Sequence, residues 1–270
     1  MADRSKVVFV TGASRGIGRL LALALAESGA TVVGFARSSD ALDSLAEEAV
    51  PGSTIHARPV DVTSPMDVRS ALEQATLEIG PPSALITCAG SSAALGPISA
   101  IDPEQWWRDV TIDLRGTMLC AQAVLGPMLQ AGSGRIVTVY GNLGDHGMEH
   151  VSAFAAGKAG IVRFTETLAS ELVDTGVVAL AIHPGFVRTP MTERLAWSEE
   201  GRQWLPAFKP HAEQHWGDGA SAVALIERIL GGEADELAGR VVHVGDDLER
   251  LSERARADDD FRRLRIRLDS

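Results

Sequence analysis

The chain has 270 residues, a formal net charge of −11 and 45% hydrophobic residues. That length and apolar content suffice for one domain with a full core, and the acidic balance argues against nucleic acid or an anionic membrane as the main partner. Two cysteines provide no disulfide framework, and no apolar run approaches the roughly 18 residues that span a bilayer. The segment before the first apolar run is too short for a signal peptide. We expect a cytoplasmic protein with a small-molecule substrate, no nucleic-acid or membrane partner and no metal site.

Short apolar runs alternate with helical patterns up to about residue 245. Strands separated by helices pair in parallel through right-handed crossovers, so the pattern predicts an α/β fold with a doubly wound, parallel, seven-stranded Rossmann sheet in a single domain. The predicted strands are Val7–Val10, Thr31–Phe35, Thr54–Pro59, Ala84–Thr87, Arg135–Val139, Val177–Ile182 and Arg240–Val244. The predicted helices span residues 17–28, 40–49, 65–79, 103–130, 152–174 and 218–230.

A glycine-rich turn joins the first strand to the first helix. Free N–H groups and the positive end of the helix dipole meet at such a junction, and glycine lets a phosphate approach the backbone. Ligands of doubly wound sheets bind beyond the carboxyl ends of the strands, so the residues after each strand are the candidates for a site. The turn residues that we assign to a nucleotide cofactor are Gly12, Ser14, Arg15, Gly16, Ile17 and Gly18.

The residues after the second strand indicate which cofactor is bound. An NAD site normally places an acid about 20 residues past the glycine turn, where it holds a ribose hydroxyl. Here that position is Ala36, and Arg37 follows it. The guanidinium groups of Arg15 and Arg37 suit a 2′-phosphate, so we predict NADP(H). The alternative is that both arginines are solvated surface residues.

The turn sequence TGASRGIG resembles the cofactor loop of the short-chain dehydrogenase/reductase family, and six motifs of that family occur in order over about residues 5–245. The resemblance implies a Rossmann domain over residues 1–245 and a C-terminal extension over 246–270. We interpret Cys88, which departs from the family's Asn-Ala-Gly motif, as a small packed residue and not as a nucleophile. The further cofactor residues that the resemblance implies are Asp61 and Val62 at the adenine, Cys88, Ala89, Gly90 and Lys158 at the ribose, and Pro184, Gly185, Val187 and Thr189 at the nicotinamide.

The catalytic positions match the family only in part. Lys158 corresponds to the lysine of the family's Tyr-x-x-x-Lys segment, and Phe154 occupies its tyrosine position. The family's serine position falls at Gly141, or at Tyr140 if the turn is shifted by one residue. Positions 154 and 158 share a helix face, so the spacing is kept while the acid is lost. Asp113 stands where the family has an asparagine that holds, through its main chain, a water near the lysine. A carboxylate there adds a buried charge.

The stretch 190–217 corresponds to the family's substrate lid. It lacks a regular alternation and contains Trp197, Trp204, Phe208 and Trp216. These aromatic residues indicate an apolar or aromatic substrate, unless they form the core of the lid itself. Before the lid, His183 is better explained as a strand-end residue than as a catalytic one.

Residues 246–270 extend beyond the point where the family usually ends. Leu248 and Leu251 indicate a short helix, and Leu264, Ile266 and Leu268 alternate with arginine like an edge strand. The mixed charge favours a solvated tail or a subunit contact over a second domain.

Three functions agree with these residues. The first is an NADP(H)-dependent oxidoreductase of a small apolar or aromatic carbonyl compound or alcohol. The second is a cyclase, dehydratase or isomerase that uses the same pocket without net redox change. The third is a cofactor-binding protein without turnover.

For the redox function we predict that Tyr140 supplies the acid, because it is the chain's one tyrosine and stands beside the missing serine. The alternative is that Tyr140 only fills volume. Phe154 differs from tyrosine by one oxygen, which would also suit an engineered inactivating change, although such a change would not need Gly141 or Asp113. The resemblance further implies a homodimer or homotetramer paired through helices 103–130 and 152–174, whose apolar residues exceed one buried stripe.

Overall fold

Seven parallel strands form the centre of the molecule in a computed structural model, which describes residues 6–141, 144 and 146–265. The strand order is β3-β2-β1-β4-β5-β6-β7. This order reverses at β1 and β4, as in a doubly wound sheet, and confirms the predicted Rossmann fold. The strands are β1 Val7–Thr11, β2 Thr31–Ala36, β3 Thr54–Pro59, β4 Ala84–Thr87, β5 Gly134–Val139, β6 Val177–His183 and β7 Val241–His243.

Helices cover both faces of the sheet. One buried cluster joins α1, α10 and α11 to one face, and a second joins α3, α5 and α6 to the other. The central strands are buried on both faces, which explains why they are continuous apolar runs. The helices are α1 Gly16–Glu27, α2 Ser39–Glu48, α3 Pro65–Glu78, α4 Pro103–Val110, α5 Gly116–Ala131, α6 Ser152–Glu171, α7 Pro190–Trp197, α8 Glu199–Trp204, α9 Phe208–His215, α10 Ala220–Gly231 and α11 Leu248–Ala257.

The predicted helix 103–130 contains an irregular turn. It begins as predicted, with the Asp102 side chain accepting from the Glu104 N–H at 3.1 Å. A π-helical turn, Thr111–Arg115, then separates α4 from α5. Turns of this kind occur mostly inside α-helices and often at functional sites. Here the turn holds Asp113, whose side chain is fully buried.

The lid and the C-terminal segment are more regular than the sequence pattern suggests. Residues 190–217 contain three short helices, α7 to α9. The extension forms the predicted helix as α11, and Leu248 and Leu251 pack into the main core. The Val241 N–H donates to the Arg262 carbonyl at 3.1 Å, so the chain covers the edge of β7.

The predicted edge strand falls largely outside the described residues. Leu264 lies in no strand, and Ile266 and Leu268 lie outside the described part. None of the helices that the structure describes is both long enough and apolar enough to cross a membrane.

Candidate active site

The turn between β1 and α1 has a backbone that requires glycine. Gly12 and Gly16 have φ angles of +68° and +58°, which residues with a Cβ rarely adopt. A Cβ on Gly12 would lie 2.7 Å from the Ala89 nitrogen, and one on Gly18 would lie 2.4 Å from the Gly12 carbonyl oxygen. Both distances are far shorter than the optimal separation of non-bonded atoms. The glycines therefore form a cradle in which a phosphate can reach the backbone.

Cationic and N–H donors meet at the end of this cradle. Arg15 precedes α1 and Arg37 follows β2, and both side chains are exposed. Among the described residues, neither guanidinium is in an ion pair, and no side chain caps α1. Free N–H groups at a helix N-terminus beside two guanidinium groups form a suitable site for phosphate.

Asp61 lies after β3 in the wall of the same groove. The N–H and hydroxyl of Thr63 donate to Asp61 Oδ1 at 2.9 and 2.8 Å. Partial burial raises the pKa of Asp61, but these hydrogen bonds and the charges of Arg37 and Arg108 outweigh it, so the pKa lies below its ordinary value. The carboxylate thus remains an ionised acceptor in the groove.

The segment Cys88–Gly90 forms the floor between the glycine turn and Lys158. A Cβ on Gly90 would lie 3.1 Å from Asp113 Oδ1 and 3.4 Å from Lys158 Nζ, so the backbone passes close to both charged groups. Burial raises the pKa of the Cys88 thiol to about 12, although the charge of Lys158 opposes this effect. A neutral thiol is a poor nucleophile, in agreement with a packing role for Cys88.

Lys158 on α6 faces Asp113 in the π-helical turn. Lys158 Nζ and Asp113 Oδ2 are 3.5 Å apart, and the two side chains are 8% and 0% exposed. Lys158 Nζ also donates to the Val139 carbonyl at 3.3 Å and lies 5.2 Å from the centroid of the Phe154 ring. Burial raises the pKa of Asp113 to about 6, although the Lys158 charge and the Ser91 N–H oppose it. The site therefore contains a buried acid that titrates near neutral pH.

A second buried carboxylate, Asp109, lies four residues before Asp113. Ser91 connects them, because its hydroxyl donates to Asp109 Oδ1 at 2.5 Å and its N–H donates to Asp113 Oδ1 at 2.8 Å. Asp109 also accepts from Gln105 Nε2 at 3.1 Å and from the Ala94 N–H at 2.7 Å. Sequence patterns do not single out Asp109 or Ser91. The one available signal is an acid four positions before Asp113 within a predicted helix.

Phe154 and Gly141 line the same cavity as Lys158. Phe154 lies one turn before Lys158 on α6, as the spacing predicts. Gly141 follows β5 with a φ of +75°, and a Cβ there would meet no atom within 4 Å. The space near the expected serine is therefore open, but an L-residue at 141 would strain the backbone.

Tyr140 is buried in the core beside this cavity. Its side chain has no exposed surface and packs with Ile161, Val162 and Val241. The hydroxyl lies 2.9 Å from His243 Nε2 on β7, a partner that sequence patterns do not indicate. Tyr140 packs between α6 and β7 and also lines the cavity, and both its predicted roles, proton donor and volume filler, remain predictions.

The segment after β6 closes over the glycine turn. The Gly185 N–H donates to His183 Nδ1 at 3.1 Å, which orients the His183 ring at the end of the strand. Thr189 forms a capping box with Thr192 at the start of α7. A Cβ on Gly16 would lie 3.3 Å from the Thr189 side chain, so the N-terminus of α7 lies directly over the cofactor turn.

Most predicted cofactor residues share this groove, and the rest line the cavity beside it. Ile17, Cys88, Gly90, Thr189 and Met191 line both, which makes them continuous. The predicted residues in the groove are Gly12, Ser14, Arg15, Gly16, Ile17, Gly18, Arg37, Asp61, Val62, Cys88, Ala89, Gly90 and Thr189. Those in the cavity but outside the groove are Lys158, Pro184, Gly185 and Val187.

The cavity has a volume of about 660 Å³ and a largely aromatic and aliphatic wall. Trp204 and Phe208 of the lid line it. Trp197 and Trp216 instead pack on each other, with ring centroids 4.7 Å apart. The lid aromatics thus divide between the two predicted roles, substrate wall and lid core.

Arg194 links the lid to the loop after β4, a contact that the sequence does not indicate. Its two terminal nitrogens donate to the carbonyls of Ser92 at 2.8 Å and Ala93 at 3.3 Å, and it pairs with Glu200 at 2.6 Å. These bonds hold the lid against the rim of the cavity.

Known proteins share the fold and much of the sequence pattern of this chain. The family model for short chain dehydrogenases matches residues 6–200. The chain belongs to the short-chain dehydrogenase family of oxidoreductases. Its resemblance to that family is thereby confirmed.

Individual relatives cover nearly the whole chain. It is 30% identical to the 3-oxoacyl-acyl-carrier-protein reductase FabG of Escherichia coli over 245 residues, which are 90% of this chain and 97% of the relative. A crystal structure of a variant actinorhodin polyketide ketoreductase with NADPH has a TM-score of 0.82 and 28% identity, covering 90% of this chain and 97% of that one. Levodione reductase has a TM-score of 0.80 and 26% identity over 88% of this chain and 95% of its own.

Proposed function

We propose that the protein is an NADP(H)-dependent oxidoreductase that interconverts a small apolar or aromatic carbonyl compound and its alcohol. The observation that carries this proposal is the continuity of the glycine-turn groove with an apolar cavity, with Lys158 on the cavity side. A hydride donor in the groove and a carbonyl in the cavity would meet where the two are continuous.

The residues of the groove fit a dinucleotide with a 2′-phosphate. The cradle at Gly12 and Gly18 leaves room for a pyrophosphate against the N-terminus of α1. Arg15 and Arg37 offer guanidinium donors where an acid for a free ribose hydroxyl is missing. When bound, the cofactor would supply the hydride, and these residues would hold and orient it. The NADPH in the ketoreductase relative supports the same choice.

A side chain at the cavity wall can supply the proton for the substrate oxygen. Lys158 lines the substrate cavity and carries N–H donors. Tyr140, the donor predicted from the sequence, also lines the cavity, and its hydroxyl lies 2.9 Å from His243 Nε2. We therefore propose Lys158 as the group that contacts the substrate oxygen and keep Tyr140 as the alternative donor.

The lining of the cavity supports the substrate class. Phe154, Phe186, Trp204 and Phe208 contribute aromatic rings to its wall. An apolar wall with few polar groups binds an apolar ligand by desolvation and orients it by those few groups. The names of the relatives, a ketoreductase and two reductases, agree with a carbonyl substrate.

A combined binding and turnover experiment tests the proposal. Calorimetry with NADPH and NADH should show tighter binding of NADPH. Incubation with NADPH and a panel of apolar and aromatic ketones should lower the NADPH absorbance and yield products heavier by two hydrogens. Equal affinities would refute the cofactor preference, and binding without product would leave the protein a cofactor-binding protein.

A non-redox enzyme is the second candidate, favoured by Phe154 and Gly141 at the two expected hydroxyl positions. In that case the same panel would yield isomerised, cyclised or dehydrated products while the NADPH absorbance stays constant. Product mass separates the two functions without knowledge of the natural substrate.

We also propose that the chain assembles as a homodimer or homotetramer through α4, α5 and α6. Trp107 on α4 and Leu129 on α5 are 60% and 45% exposed, so each end of this helical segment presents a large apolar side chain that a partner subunit could cover. Light scattering at micromolar concentration should report a multiple of 28.6 kDa. A monomer mass would refute the assembly.

A further inference from the structure

Three ionisable groups lie close together beneath the substrate cavity: Asp109 on α4, Asp113 in the π-helical turn and Lys158 on α6. Both carboxylates have 0% exposure, and Lys158 has 6%. Asp113 lies 3.5 Å from Lys158 and is connected to Asp109 through Ser91, so two buried acids share one buried base and leave an excess negative charge when all three are ionised. Because burying uncompensated charge is costly, this cluster has a reason to bind a proton.

The hydrogen bonds show which acid takes that proton. Asp109 accepts three hydrogen bonds, from Ser91, Gln105 and Ala94, and these stabilise its ionised form. Asp113 accepts one, from the Ser91 N–H to Oδ1. Its Oδ2 is buried without a hydrogen bond, and its nearest cation is Lys158 Nζ at 3.5 Å. Asp113 is therefore the less stabilised carboxylate of the two.

We propose that Asp113 stores a proton for Lys158, taking it up when the nicotinamide cofactor binds and passing it to Lys158 during turnover. This inference rests on the proposed function. Asp113 contacts neither substrate nor cofactor in this role and is a positioning residue that acts through Lys158. The other charged or titratable groups around it are Asp109 from α4 and the neutral thiol of Cys88 at the end of β4.

The proton transfers balance for carbonyl reduction. The carbonyl carbon receives a hydride from the reduced nicotinamide cofactor, and the carbonyl oxygen takes a proton from Lys158 Nζ as its π bond breaks. The resulting amine takes the proton of the Asp113 carboxyl, and a carboxylate remains beside an ammonium. Solvent restores the proton to Asp113 in the next cycle, so one proton is consumed for each hydride transferred.

Binding of the dinucleotide in the groove would explain why Asp113 takes up a proton. The backbone at Gly90 lies between the groove and the Asp113–Lys158 pair, since a Cβ on Gly90 would contact both of these side chains. A bound dinucleotide excludes water from this floor and adds negative phosphate charge, and both effects favour the protonated form of Asp113. Binding of NADPH should then depend on pH through Asp113.

Calorimetry of NADPH binding in buffers with different ionisation heats counts the protons taken up. At about pH 7 we expect the wild type to take up more than Asp113→Asn, with the difference approaching one proton. Any proton that the 2′-phosphate, whose pKa is about 6, releases on binding is common to both and cancels. Between about pH 7 and pH 9 the affinity of the wild type should fall by up to about tenfold per pH unit relative to the variant.

Ser91→Ala is the matched control. It removes the hydroxyl that donates to Asp109 but keeps the backbone N–H that donates to Asp113. The number of protons taken up on NADPH binding should therefore equal that of the wild type. If Asp113→Asn does not fold, infrared difference spectra of the wild type replace it, since NADPH should raise the band of a protonated carboxyl group.

The outcomes are separable. NADPH binding with the same proton count in wild type and Asp113→Asn, or without the carboxyl band, refutes the proton store and leaves the proposed function intact. Absence of NADPH binding refutes the proposed function and this inference with it. A lower count in Asp113→Asn with an unchanged count in Ser91→Ala supports the store at Asp113.

Discussion

The two halves of the candidate site, the glycine-turn groove and the apolar cavity beside it, are built in different ways. In the first half the backbone itself forms the surface, and a Cβ on Gly12 or Gly18 would overlap main-chain atoms. In the second half side chains such as Phe154 project into an open cavity, and a Cβ on Gly141 would meet nothing within 4 Å. A side chain in the first half would overlap main-chain atoms, whereas one at Gly141 in the second half would overlap nothing and would be opposed only by its φ of +75°.

This difference explains why the groove keeps the family pattern while the catalytic positions depart from it. Steric limits of the backbone permit glycine almost alone at the turn. The cavity wall tolerates phenylalanine or glycine where a hydroxyl is expected. This difference would allow the proposed cofactor groove to be kept while the proposed source of protons changes.

The largest effect should come from a side chain placed in the cradle. Gly12→Ala adds a Cβ 2.7 Å from the Ala89 nitrogen at a φ of +68°. We expect it to abolish measurable NADPH binding and to lower the free energy of unfolding by about 2 kcal/mol or more.

Gly29→Ala is its matched control. Gly29 has a φ of +92°, but a Cβ at this position would meet no atom within 4 Å, so the variant carries backbone strain without overlap. Gly29→Ala should lower the free energy of unfolding by about 1 kcal/mol and leave NADPH binding unchanged. Calorimetry and urea unfolding measure both quantities, and equal effects of the two variants would refute the steric account.

Tyr140→Phe tests the substrate half. If Tyr140 is the acid, turnover should fall on the order of 10²–10⁴-fold while NADPH binding stays intact. If Lys158 is the donor, turnover should change little, and loss of the hydrogen bond to His243 should lower the free energy of unfolding by about 1–2 kcal/mol. Initial rates on any ketone that the wild type reduces distinguish the outcomes. Phe154→Tyr, which returns the expected phenol to α6, should raise or redirect activity.

Sequence patterns predict the strands and the glycine turn because both depend on local properties of the backbone. Apolar runs between turns indicate buried parallel strands, and the turn requires glycine wherever it occurs. The π-helical turn at Thr111–Arg115 lacks such a signal, since one extra residue per turn barely alters a helical pattern. The connection of Ser91 to Asp109 joins residues 18 positions apart on separate elements, and tertiary packing alone creates it.

Asp113→Asn should change how stability depends on pH. The pKa of Asp113 rises from 3.8 to about 6 on folding, so the protonated native state is favoured. The contribution of protonated Asp113 to the free energy of unfolding is present below about pH 4 and is lost as the pH rises through about 6. Relative to the variant, the wild type should lose up to ~3 kcal/mol across this range, since each pH unit between the two values corresponds to about 1.4 kcal/mol.

Urea unfolding at a series of pH values measures this difference. Asp61→Asn provides a control of opposite sign, because the pKa of Asp61 is lowered on folding and its contribution is lost as the pH falls. Parallel pH curves for the wild type and Asp113→Asn would show that folding does not shift the pKa of Asp113 and would refute its elevation.

Arg37→Ala should have the smallest effect on the protein, because it should weaken the binding of NADPH selectively over that of NADH. Arg37 is exposed at the end of β2, and a hydrogen bond from a charged group contributes about 1.5–3 kcal/mol. NADPH affinity should therefore fall about 10- to 100-fold, whereas NADH affinity should stay nearly constant because NADH lacks the 2′-phosphate. Arg58→Ala controls for the change in net charge, because it removes a guanidinium on the neighbouring strand β3 that is paired with Glu78 at the end of α3. If Arg37→Ala weakens both cofactors equally, or neither, Arg37 is a solvated surface residue and the preference for NADP(H) loses its support.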